Sequence, residues 1–292
     1  MTHRTSRVNG PAVLAVAVLF ALPPTLAHAQ VVRSDAGIGT TNATAARDLF
    51  RSDIGGGTVP GTNGSFGGLR REINWDGVPA SSSTPNNLAA NFFNTNSPRG
   101  VVFSTPGTGF QVSGAVGDVV AAVNFGNINP QYSSVFSAFS AQRLFTPIGS
   151  NITDVTFFVA GTTAAGLTSG FGSIFSDVDL ANVTSLQFFD AWNGSLGSFM
   201  VPNVVGATAQ HFSFLGVSFA TPIISRVRIT TGNAALDASR SDQNGNLNDL
   251  VVMDDFLYGE VVGTVVPEPA TWGMLAFGLG ALGLAARRRR LV

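Results

Sequence analysis

The sequence contains no cysteine and no lysine, and only three of its 292 residues are histidine. Without cysteine there is no disulfide framework, no thiolate nucleophile and no Cys-based zinc or iron–sulfur site. All 16 basic residues are arginine, and His3 and His28 fall in an N-terminal leader, which leaves His211 as the one histidine of the body. The usual general bases are therefore nearly exhausted, and the expectation is that the chain is not an enzyme. Charge is scarce as well, at 11% of residues. Between the two ends, ten arginines face sixteen acidic residues, a net charge near −6. That is the opposite of a nucleic-acid footprint, and it excludes nucleic acid as an expected partner.

What is abundant is glycine, at 34 residues, and phenylalanine, at 23, together with many Ser, Thr and Asn. This composition favours short strands joined by tight turns over long surface helices. Both ends are set apart from it. Residues 1–29 carry a basic stretch (Arg4, Arg7), an apolar run from Ala12 to Leu22, and the small residues Ala27 and Ala29. This is the three-part layout of a secretory signal peptide, and it predicts passage through the Sec translocon with signal peptidase cleavage after Ala29. Pro23 and Pro24 cut the apolar run too short for a comfortable membrane span.

The other end, residues 263–292, contains Pro267-Glu268-Pro269, an apolar run from Thr271 to Ala286, and the cluster Arg287, Arg288, Arg289 and Arg290. The run predicts one hydrophobic helix, slightly short for a bilayer core, with the arginines held on the cytoplasmic side. The two prolines favour an extended backbone at the triplet, the form a protease cleft can read. In this order and position the three parts resemble the PEP-CTERM sorting signal. The resemblance implies handling by an exosortase, a membrane-embedded enzyme of Gram-negative bacteria that make exopolysaccharide, with cleavage near Pro267 to Pro269. It implies an inner-membrane intermediate, then the cell surface or extracellular matrix. An uncut single-span anchor is the plainer alternative.

The body is expected to be all-β. Residues 30–99 read as a loop-rich segment with a short helix from Ala43 to Asp53, capped by Asn42 and packed on a β-sandwich formed by residues 100–262. Strands are predicted at 152–159, 185–189, 196–201, 211–219, 224–229 and 250–258, with a hairpin turning at Asn193-Gly194. Strands without intervening helices indicate a two-sheet sandwich or jelly roll. The segments around Phe171 to Val178, the 185–201 hairpin, Phe214 to Val217 and Met253 to Phe256 also resemble, loosely, the jelly rolls of the galactose-binding kind.

Two candidate sites arise. Asp242, Asn244, Asn246 and Asn248 place side-chain oxygens at alternating positions, as calcium prefers, although Met253 stands where an EF-hand needs its bidentate acid. A solvated Asx-rich turn is the alternative. Arg71, Trp75 and Asp76 could hold a sugar ring through an indole face and polar contacts, or could simply pin a loop onto the core. His211 and Asp190 lack a nucleophile elbow. The expected role is structural or adhesive at the cell surface. A calcium-dependent module binding exopolysaccharide is the second reading, and a glycan hydrolase, needing an acidic cleft such as Asp76 near Asp254, the third.

Overall fold

The computed structural model describes residues 29–115, 122–206, 210–242, 247–264, 274–275 and 277–279. Its strands are β1 (Gln30–Ile38), β2 (Ser65–Phe66), β3 (Arg70–Ile73), β4 (Val101–Ser104), β5 (Gly109–Val112), β6 (Phe145–Ile148), β7 (Ile152–Phe157), β8 (Gly166–Leu167), β9 (Gly170–Ser176), β10 (Ser185–Phe189), β11 (Ser195–Met200), β12 (His211–Phe219), β13 (Arg226–Thr230), β14 (Val252–Gly259) and β15 (Val262–Gly263). Three helices accompany them: α1 (Thr41–Ile54), α2 (Phe92–Thr95) and α3 (Tyr132–Val135).

The larger sheet runs β1-β12-β9-β14-β3-β2, with β6 also paired to β14 and β5 to β6; the smaller runs β11-β10-β13-β7-β4. The ladders between these strands are antiparallel. The fold is thus the expected all-β sandwich. In β7 and β13 buried residues, apolar except for Thr153, alternate with half-buried ones, so each strand has one face in the core and one toward water.

By contrast, every residue of β9, β12 and β14 is buried. Their inner-facing side chains, among them Phe171, Phe175, Leu215, Val217 and Tyr258, join the core between the sheets. Their outer faces are covered by α1, whose Ala43, Ala46, Phe50 and Ile54 pack on Ile174, Phe212, Phe214 and Leu257. The helix sits close because the sheet is floored with glycine there. A Cβ on Gly216 would stand 2.7 Å from the Phe50 ring, and one on Gly170 would stand 2.8 Å from Ile54.

The N-terminal segment departs from expectation. Residues 30–38 form a full edge strand along β12, and β2 and β3 extend the other side of the same sheet, so residues 30–99 build the sandwich as well as pack on it. Helix α1 takes Thr40 at its N-cap without a side-chain hydrogen bond, while Asn42 lies inside it and donates to Asp35 Oδ1 at 3.2 Å. The predicted 185–201 hairpin is present, with Leu186 opposite Phe199 and Asn193 in the left-handed region at φ 63°.

Ala29 is exposed and immediately precedes β1, whereas Ala27 lies outside the described residues. Pro267, Glu268, Pro269 and Arg287 to Arg290 also lie outside them; of the C-terminal run, residues 274, 275 and 277–279 are helical. Among the described residues, no helix is long and apolar enough to cross a membrane.

Candidate functional site

Polar chemistry collects at one end of the larger sheet. β9 ends at Ser176 and β12 begins at His211, and their pairing sets Ser176 opposite Phe212. Asp177 and Asp179 leave β9 just beyond this point, Asp177 in the left-handed region at φ 71°. The His211 ring, 2% exposed, lies between them, with Nδ1 3.7 Å from Asp177 Oδ1 and Nε2 3.5 Å from Asp179 Oδ1. One ligand atom from each residue lies within 4.8 Å of the others. That spacing admits one ion at metal–oxygen distances of about 2.3–2.6 Å.

The loop before β14 adds two more carboxylates. Asp249 is fully buried and accepts from the backbone N–H groups of Asp179 and Leu180, both at 3.2 Å. Asp242 accepts from Leu250 N at 2.7 Å and hydrogen-bonds with Asp177. Crowding shows in their protonation. Burial, then the charges of Asp242, Asp179 and Asp249, pushes Asp177 up to about 8. Burial raises Asp242 to about 7 and Asp249 to about 6, with neighbouring carboxylates adding to both. Asp179 is raised by burial against the pull of His211. Four carboxylates are thus held together at a cost that a bound cation would remove.

Of the predicted calcium ligands that the structure describes, Asp242 reaches this cluster. Asn244 and Asn246 lie outside the described residues, and Asn248 is half-buried beside Asp249, which turns inward in its place. The sequence marks Asp177 and Asp179 as paired carboxylates of a kind that binds a cation or faces water, and His211 as a strand-end residue, but no local spacing joins the three; strand pairing does. The one local signal was the Asp-x-Asp step at the end of β9.

The proposed sugar platform is corrected by the structure. Trp75 is 1% exposed, stacked on Phe145 with ring centroids 4.1 Å apart and edge-on to Phe93 and Phe256. Its Nε1 donates to the Asp254 carbonyl at 2.8 Å, so the indole offers no face to a ligand. Arg71 is occupied by Glu260 at 2.8 Å and by the carbonyls of Asn63 and Pro98. Asp76 lies close enough to Asp255 for repulsion to help raise it to about 6, after burial. The acids it neighbours are closed over, however: Asp254 is fully buried, accepting from Phe139 N, Ser140 N and Ser140 Oγ, and Asp255 is 4% exposed. His211 lies beside Asp177 and Asp179, while Asp190 belongs to the hairpin turn.

Comparison with known proteins places one segment. Residues 265–290 match the PEP-CTERM protein-sorting motif, so the chain carries the address of an exported protein that an exosortase sorts to the cell envelope or surface. No curated protein matches the chain. Among solved structures, the enzymatically active domain of bacteriophage CBA120 tailspike protein 4 aligns at 12% identity over 60% of this chain and 20% of its own, with a TM-score of 0.22. The chain spans about a fifth of that tailspike chain, and so low a score carries no argument.

Proposed function

We propose that this protein is a non-catalytic component of the cell surface or extracellular matrix of a Gram-negative bacterium, with a structural or adhesive role, and that calcium braces its sandwich. Export would run through the Sec translocon and signal peptidase, then through an inner-membrane intermediate cut by exosortase. The observation that carries the proposal is the sorting motif, which begins at residue 265, two residues after β15 closes the sandwich. The body it follows is a sheet with both faces covered, suited to persistence outside the cell without disulfides.

Calcium suits the donor set at Asp177, Asp179, Asp242 and Asp249 because it takes several hard oxygen ligands in irregular geometry. His211 would lie beside the ion and orient Asp177 and Asp179 rather than being the main ligand.

The sorting half is tested by replacing Pro267, Glu268 and Pro269 together with alanine in an exosortase-bearing host. The expected outcome is accumulation of an uncut, membrane-associated chain and loss of the protein from the surface and medium. Normal processing of the triple variant would overturn it.

A further inference from the structure

A second polar site lies at the turn of the β10–β11 hairpin. A cavity of about 250 Å³ there is lined by Thr156, Phe157, Asp190, Asn193, Ser225 and Arg226 among others. Trp192 stands at the hairpin tip between two residues that line this cavity, Ala191 and Asn193, and it is 88% exposed. An indole held at a turn tip offers water a flat apolar face with one polar edge, the shape on which the apolar face of a ligand can stack.

The tip is fixed in place. Asp190 Oδ1 accepts from Trp192 N at 2.9 Å and from Gly194 N at 2.7 Å. Asn193 Oδ1 accepts from Arg226 Nη2 at 2.5 Å, while Arg226 Nη1 donates to Asp154 Oδ1 at 2.8 Å. The guanidinium lies 3.7 Å over the Phe189 ring. A fixed turn backbone and preset polar groups lower the ordering cost of binding.

The charge balance selects the ligand. Asp154 answers Arg226 and Arg228 together, and Asp190 spends an oxygen on the turn's own amides. Arg226 and Arg228 share the one Asp154 carboxylate, and Asp190 at the cavity supplies the second negative charge, so among the described residues the four charges sum to zero and favour neither a phosphate nor a carboxylate. What remains is hydroxyl and amide hydrogen bonding, in a volume below the roughly 300–1,000 Å³ of sites for drug-sized ligands, with the exposed Trp192 one residue along the turn from two lining residues. We propose that Trp192 and this cavity form a binding subsite for one neutral pyranose unit of a polysaccharide, its apolar C–H face on the indole and its hydroxyls toward Thr156, Asn193 and Arg226. The site deepens the adhesive half of the proposed function and rests on it. Sorting is read by cell fractionation and this site by fluorescence, so either can fail alone.

The test titrates the purified full chain with oligosaccharides of dextran, laminarin and galactan, and with alginate oligomers as the acidic comparison, following tryptophan emission. Trp75 is buried, and with Trp272 of the sorting segment replaced by phenylalanine throughout, the response comes chiefly from Trp192. The expected result is a saturable change with at least one neutral oligosaccharide, half-complete at about 0.1–10 mM, as suits a single small subsite. Trp192→Ala should weaken binding by about tenfold or more in calorimetry while leaving the melting temperature unchanged, and Thr156→Val should weaken it by a smaller factor. Three results would overturn the proposal: no response to any neutral oligosaccharide, equal binding by Trp192→Ala, or binding of alginate alone.

Discussion

Asp76 illustrates how a single carboxyl is set by its surroundings. Burial, then the nearby charge of Asp255, raises it to about 6, while an ordinary aspartate in an unfolded chain titrates near 3.9. The folded state therefore holds this proton more tightly than the unfolded state does. The stability Asp76 contributes is fully present below about pH 4 and is lost as pH rises through about 6. Asp76→Asn keeps an acceptor oxygen and cannot ionise. Denaturant melts of parent and variant should have similar midpoints near pH 4, with the variant moving ahead between about pH 4 and pH 6 and holding that lead at higher pH. A difference independent of pH would show that its proton is not what matters.

Among the elements, β14 and its partners explain why the middle of the sandwich is so tightly specified. The register between β14 and β9 shifts between Met253 and Phe256, so these residues, three apart, both reach the inner core. The extra residue is a bulge, and it leaves Asp254 and Asp255 off the inner face. Helix α1 then needs the glycine floor of β9 and β12. Gly216→Ala should destabilise by about 1–3 kcal/mol, because a methyl group there drives into Phe50 and the helix must lift from the sheet. Thermal or urea unfolding of the variant measures this, and an unchanged midpoint would mean that α1 is loosely seated.

The strands around these elements were readable from period and turn chemistry. β12 runs from His211 to Phe219 as its apolar run predicts, and the hairpin turns at Asn193. β1 was not readable: QVVRSDAGI has mixed polarity, since an edge strand exposed on both faces needs no alternation. The carboxylate cluster was only partly readable, because Asp242 announces itself in an oxygen-rich loop while Asp177, Asp179 and His211 meet through long-range pairing. Trp75 left two readings open because an indole beside Arg and Asp in sequence has the same composition whether it is a platform or a loop pinned onto the core, and the stacking on Phe145 decides for the second.

For the whole molecule, the cluster joins the end of β9, the start of β12 and the loop leading into β14, three parts of one sheet. An ion there would act as a clip across all three. Calcium at about 100 times its dissociation constant should add about 2.7 kcal/mol. For a body of this size that is a rise in melting temperature of about 5–10 °C, reversed by EDTA. Asp177→Asn should abolish the shift, and an identical melt with calcium and with EDTA would remove calcium from the account.

The route by which the chain leaves the sandwich has a mechanical consequence. β14 is flanked by β9 on one side and by β3 and β6 on the other, and it leads through Glu260 and β15 to Thr264, after which the sorting segment begins at residue 265. Traction applied at that exit is directed along a central strand, so the ladders on both sides are loaded in shear and must yield together. A tether leaving from an edge strand such as β1 would instead peel its hydrogen bonds one after another. A protein held by this end in flowing medium is gripped at the place where its fabric is hardest to unpick.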